Sequence, residues 1–200
     1  MKPSPDAPRQ PTDLGDRALD NLSFIRDTME RATAFTGVPG WGGVAMGATA
    51  VVAAVLAAGA PTPQGWLGTW LLEAVLAFLI GAWSLGRKSR RQRFSARSRP
   101  ARQFFLSFFP PLAVGALLTV VLWRSGLPQF LPGTWLLLYG TAVVTGGAFS
   151  VRAVPLMGTV LMALGAVATL WPALGNLAMG AGFGAVQIGF GWYIARRHGG

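Results

Sequence analysis

Charge is distributed along this 200-residue chain in a way that leaves few folds open. Residues 2–31 hold five basic and six acidic side chains, and residues 87–102 hold eight basic side chains and no acid. Arg124 and Arg152 stand alone, and Arg196 and Arg197 lie near the end. The only other charge is Glu73. The stretches between these blocks approach the ~20 apolar residues a helix needs to cross a bilayer. Composition agrees. Hydrophobic residues make up 52% of the chain and charged residues 12%, where soluble domains carry roughly 25% charged residues. So apolar a chain is not intrinsically disordered. With no cysteine, it has no disulfide framework, thiolate metal site or cysteine nucleophile.

The fold class expected is all-α, an integral membrane helical bundle with an N-terminal amphipathic cytoplasmic helix. Six transmembrane helices are predicted, over residues 42–60, 66–86, 104–123, 133–151, 154–171 and 175–195. Runs such as VVAAVLAA do not alternate as barrel strands do, and a helix satisfies its own backbone in lipid. Two regions follow: a tail, 1–40, and a six-span membrane domain, 41–200. With both termini in the cytoplasm, sixteen of the seventeen basic residues fall on that side, leaving only Arg124 outside. This is the asymmetry that orients inner-membrane proteins. Trp41, Trp66, Trp123, Trp135, Trp171 and Trp192 fall near span ends, as interfacial aromatics do. No cleavable signal peptide is expected, since the first 40 residues lack an apolar run, and no lipidation motif is present.

A repeat runs through the chain. PQGWLGTWLL and PQFLPGTWLL align at an offset of 65, matching Gly68 to Gly133 and Trp70 to Trp135. Two readings fit: a helical hairpin used twice, or two loop-to-helix junctions that converged on the same chemistry. Small residues four apart, Gly43 with Gly47 and Gly180 with Gly184, allow close helix approach, within the chain or between copies.

In the tail, Leu22, Ile25, Met29, Ala32 and Phe35 follow helical spacing and predict a helix over 14–36. Its polar sides carry both signs of charge. It either lies on the inner membrane face or packs on the chain's own cytoplasmic loops, or else docks a cytoplasmic partner or a second copy, with Leu22, Ile25, Met29 and Phe35 as the docking face. The basic loop 87–102 offers Arg87, Lys88, Arg90, Arg91, Arg93, Arg97, Arg99 and Arg102 to anionic lipid headgroups, each worth about 1 kcal/mol at such a surface. Nucleic acid is not the expected partner, because the loop is short, tethered at both ends and has Phe94 as its one aromatic.

Glu73 lies well inside a span. A carboxylate there is expected to be protonated or hydrogen-bonded, the partners considered being Thr141, Thr145, Tyr139, Asn176 and Gln187. Glu73, Tyr139, Asn176 and Gln187 form a candidate proton or polar pathway. No metal-ligand cluster, catalytic base beside a nucleophile or phosphate loop is present. No cofactor and no enzymatic activity are therefore expected. The sequence points to a partner-binding or regulatory membrane component, or else to a small-solute or proton-coupled transporter using Glu73.

Overall fold

A computed structural model describes residues 22, 40–92, 99–148 and 150–198. Among them the chain is 92% helical, with no strands. The elements below all lie within the unit Phe35–Gly200. They are α1 (Gly40–Ala58), α2 (Pro63–Gln92), α3 (Arg99–Arg124), α4 (Leu131–Gly147), α5 (Ala153–Leu170) and a composite last helix. The last helix runs through α6 (Gly175–Met179), a π-helical segment (Gly180–Val186) and α7 (Gln187–His198). Five stretches are long and apolar enough to cross a membrane: Gly40–Ala58, Pro63–Arg87, Arg102–Arg124, Ala153–Leu170 and Pro172–Arg197. The chain thus has the architecture of a multi-pass membrane protein. α4 has 17 residues, nine of them buried, including Leu131, Leu136, Gly140 and Val143. The 14–36 helix lies outside the described residues apart from Leu22, which is helical and exposed.

The core is set by glycine. α1 and the last helix run antiparallel with Gly40 against Ala195, Gly47 against Gly184 and Ile188, and Gly191 against Gly40 and Val44. α4 and α5 do the same, with Gly133 against Gly165 and Thr169, Gly140 against Gly158 and Met162, and Gly147 against Val154 and Pro155. The spacing is seven residues in each helix: 40 and 47, 184 and 191, 133, 140 and 147, 158 and 165. Two turns of helix return a residue to nearly the same face, so each row is a backbone-deep groove. A Cβ at Gly140 would lie 2.8 Å from the Gly158 carbonyl oxygen, and one at Gly158 2.7 Å from that of Gly140. Only glycine permits this approach.

The last helix joins the two pairs. Gly180 and Gly184, four apart, share the face that meets Ala54 and Val51 of α1. Gly182 points the other way, against Leu136 of α4 and Leu161 of α5. The Gly-x-Gly-x-Gly run is therefore a helix with a thin wall on both sides. Its packing is within one chain, the first of the two uses considered for the small residues.

α2 and α3 flank this core, α2 on α1 and α3 on α4. α3 contains Pro110 and Pro111. A proline has no N–H to give the carbonyl four residues earlier, so Pro111 frees the Ser107 carbonyl. Thr145 Oγ1 of α4 lies 3.0 Å from that oxygen, 2.9 Å from the Thr141 carbonyl oxygen of its own helix and 3.3 Å from that of Ala142, so its one hydrogen is shared among them. α3 ends at a glycine turn: Gly126 has φ 71°, and Leu127 N–H bonds the Leu122 carbonyl at 2.9 Å, the six-to-one closure of a Schellman end.

One expectation needs correction. The basic segment 87–102 is not a loop over its whole length. α2 continues to Gln92 and α3 begins at Arg99. Lys, Arg and Gln are good helix formers, and cations suit a helix C-terminus.

Candidate functional site

Among the described residues, three sets of interior polar groups involve the residues singled out from sequence. The first closes the end of the bundle that carries Asn176. Trp66 and Trp70 of α2 both donate their indole N–H to Asn176 Oδ1, at 3.0 and 3.1 Å. Asn176 Nδ2 donates to the Ala54 carbonyl of α1 at 3.0 Å. Trp66 stacks on Trp135 of α4, with ring centroids 5.8 Å apart. Trp135 donates to Thr119 Oγ1 of α3 at 2.8 Å, and Thr119 donates to the Gly115 carbonyl at 2.7 Å. One asparagine and three tryptophans thus tie α1, α2, α3, α4 and α6 together. Trp66 and Trp135, expected at the membrane interface, face each other inside the protein. The repeat partners Trp70 and Trp135 both spend their N–H on a polar side chain, but on different helices. Gly68 faces open space where Gly133 is tightly packed.

The second set is Glu73 with Thr49. Glu73 is 7% exposed. Thr49 Oγ1 lies 2.8 Å from Glu73 Oε1. Thr49 is the tenth of the nineteen residues of α1, so the carboxyl sits at the helix midpoint. None of the five partners considered from sequence binds it. Thr49 was missed because α1 is apolar on every side, and a pattern without a polar face does not reveal which residue turns toward α2.

The third set is Tyr139 with Gln187. Tyr139 is the ninth of seventeen residues in α4, and Gln187 follows the π-helical segment. Gln187 is 6% exposed. Its Nε2 faces the Tyr139 hydroxyl at 3.4 Å, and its Oε1 is buried without a hydrogen-bond partner. Turning the amide over would leave the nitrogen unpaired instead. Phe183 contacts Trp70 and Tyr139, with centroids 6.2 and 5.2 Å away. The four pathway residues therefore occupy three sites: Asn176 in the tryptophan cluster, Glu73 on Thr49, and Tyr139 with Gln187. Among the described residues no group of three or more His, Cys, Asp or Glu comes together.

The surface polar groups sort by end. Neighbouring helices alternate in direction, so Arg87, Arg102, Arg152, Arg196 and Arg197 share the end that carries Gly40, with Arg124 at the other. Arg87 lies over Trp83, 4.7 Å from the ring centroid, and Arg196 over Trp192 at 4.3 Å. Trp41, Trp83 and Trp192 are exposed there. Cation–π contacts of this kind hold a guanidinium beside an apolar surface. Lys88, Arg90 and Arg91 lie on the last turns of α2 and Arg99 opens α3. Arg93 and Arg97 lie outside the described residues, as do Ile25, Met29 and Phe35 of the docking face. No protein-family model, curated protein or solved structure matches this chain.

Proposed function

We propose that the chain is a non-enzymatic, multi-pass component of the cytoplasmic membrane that binds or regulates a partner. The observation that carries this reading is how the interior is used. Glycine rows bring backbones together along two helix pairs, and Asn176, Trp66, Trp70, Trp135 and Thr119 bond to one another across helices. These groups hold a scaffold together. The surfaces left for interaction are the arginine-rich end and the tail. In this reading α4 is a sixth crossing: its 17 residues lie at the short limit of about 17–25 for a span, and its neighbours α3 and α5 shield it from lipid. Both termini are then cytoplasmic, because the eight described arginines at the Gly40 end follow the positive-inside preference. The eight basic residues of 87–102 meet anionic headgroups, and helix 14–36 presents Leu22, Ile25, Met29 and Phe35 to the partner.

Quantitative purification from native membranes tests the reading. The full chain is expected to hold a protein at fixed stoichiometry that is lost when residues 1–36 are deleted, while membrane insertion persists. A full chain that carries no stoichiometric protein overturns it. The orientation is tested separately on the cysteine-free background. Ser125→Cys is expected to react with an impermeant maleimide from outside, and Ser98→Cys only after the cells are opened.

One observation favours a second reading, a small-solute or proton-coupled transporter. Glu73 is buried at the midpoint of α1, and Gln187 keeps an unpaired amide oxygen inside the bundle. Under that reading Glu73→Gln abolishes coupled flux in proteoliposomes; unchanged flux removes it.

A further inference from the structure

Three arginines at the Gly40 end are held in the same way. Arg87 lies over Trp83, 4.7 Å from the ring centroid, Arg196 over Trp192 at 4.3 Å and Arg197 over Tyr193 at 6.0 Å. In each pair the ring stands four residues before the cation, one helical turn deeper. The cause is chain direction. Side chains on a helix lean toward its N-terminus, and α2 and α7 both run toward this end, so their arginines turn back over the preceding turn. Arg152, at the same end, has Ala148 four residues earlier, and Arg124, at the other end, has Val120. Neither has a ring one turn back.

The clamp fixes where the charge sits and what it can still bind. An indole beside a span end belongs at the level of the lipid headgroups, and Trp83 and Trp192 are 63% and 47% exposed. A guanidinium stacked by its face keeps the N–H donors along its edge, the set that grips a phosphate through two parallel bonds. Among the described residues the one acid is Glu73, fourteen residues or about 21 Å along α2 from Arg87. No described carboxylate neutralises these cations.

We propose that the Trp83–Arg87 and Trp192–Arg196 pairs are binding sites for anionic phospholipid, each guanidinium taking the phosphate and the helix face beneath its ring taking an acyl chain. Arg197 is left out because 6.0 Å is at the outer limit of a cation–π contact. The track for the chain is laid out on α2. Leu72, Leu76, Leu79 and Trp83 follow one another at steps of four, three and four, all exposed, and Arg87 comes four later. From Leu76 to Arg87 is about 16 Å of helix, close to one leaflet of a ~30 Å hydrocarbon core. A soluble phosphate would make no use of such a track. The unneutralised charge selects anionic lipid, because a zwitterionic headgroup brings its own cation to the phosphate. The inference rests on the membrane reading of the Gly40 end and sharpens its contact with headgroups. It does not involve the protein partner, so its failure would leave the scaffold reading standing.

Native mass spectrometry of the full chain in detergent, with phosphatidylglycerol or phosphatidylcholine added, tests it. Phosphatidylglycerol is expected to stay bound where phosphatidylcholine is released. One lipid is expected to be lost in Arg196→Gln, and both when Arg87→Gln is added. Trp192→Leu, which keeps every charge, is expected to lose the same lipid as Arg196→Gln, and Trp192→Phe, which keeps a ring, to retain it. Arg152→Gln removes a charge that has no clamp and is expected to leave binding unchanged. Excess inorganic phosphate is expected to displace neither lipid. The proposal is overturned if Trp192→Leu binds as the parent does, if Arg152→Gln loses as much as Arg196→Gln, or if phosphatidylcholine or inorganic phosphate competes on equal terms.

Discussion

The core helices and the two outer helices are about equally apolar, but different residues make them so. α1, α4, α5 and the last helix meet through Gly and Ala, with Ala50, Ala53, Ala57, Ala142, Ala168 and Ala178 buried beside the glycine rows. α2 and α3 turn large side chains outward, among them Leu72, Phe78, Leu79, Trp83, Leu106 and Leu117. In water, hydrophobicity separates inside from outside. In lipid the surroundings are as apolar as leucine, so helices associate through close packing and interhelical hydrogen bonds. Size therefore does the sorting here. Small residues lie where backbones touch, and large ones face the bilayer.

The sharpest way to break this contrast is to put a side chain into the core. In Gly140→Leu the obstacle is the Gly158 backbone, which cannot swing aside. The cost should exceed the ~1–3 kcal/mol usual for overpacking. Loss of the folded monomer, read by size-exclusion chromatography in detergent, is the expected outcome. Removing the polar tie that reaches the outer helix α2 comes next. Asn176→Leu strands two indole N–H groups and the Ala54 carbonyl. At an average near 0.6 and a maximum near 1.7 kcal/mol per membrane hydrogen bond, a loss of roughly 2–3 kcal/mol in reversible unfolding is expected, with the tryptophan fluorescence shifted.

A smaller effect tests the join between α3 and the core. Thr145→Val removes the hydroxyl shared between the Ser107 and Thr141 carbonyls, at no more than about 0.6–1 kcal/mol. Pro111→Ala restores an N–H to the Ser107 carbonyl, so in its presence Thr145→Val should cost less. Equal cost in both backgrounds would separate Thr145 from the proline. The smallest change sharpens the contrast from the outer side. Gly68 on α2 has no atom within 4 Å of a Cβ placed on it. Gly68→Ala should be neutral or stabilising by at most about 0.5–1 kcal/mol, the helix preference of alanine over glycine, whereas Gly133→Ala, its repeat partner, should destabilise.

Much of this architecture is legible in the sequence, and the illegible part has a physical cause. Charge spacing located the helices, because charge is costly in hydrocarbon, but not the ends at Gln92 and Arg99, where the basic segment itself is helical. The small residues at 43, 47, 180 and 184 pointed to close packing. The fuller signal is the sevenfold spacing of Gly133, Gly140 and Gly147 and of Gly158 and Gly165, which only a search for periods longer than one turn recovers. Partners were harder to read. Thr49 for Glu73, and Asn176 for Trp66 and Trp70, depend on how each helix is rotated about its axis. A helix apolar all round leaves that rotation open. Trp135 was read by its place near a span end, yet it faces Trp66 inside the bundle, because a tryptophan beside a helix end suits either setting.

The central claim is that α1 and the last helix form one close-packed pair within a single chain. Oxidative crosslinking in native membranes tests it most directly, since the parent has no cysteine. A Cβ at Gly180 would lie 2.9 Å from Ala54 Cβ, so a small shift reaches the ~3.8 Å of a disulfide. Ala54→Cys with Gly180→Cys is expected to form a bridge within the monomer, while Ala54→Cys with Leu72→Cys, whose partner faces outward, is not. Bridges that form only between two chains, or not at all, would contradict the account.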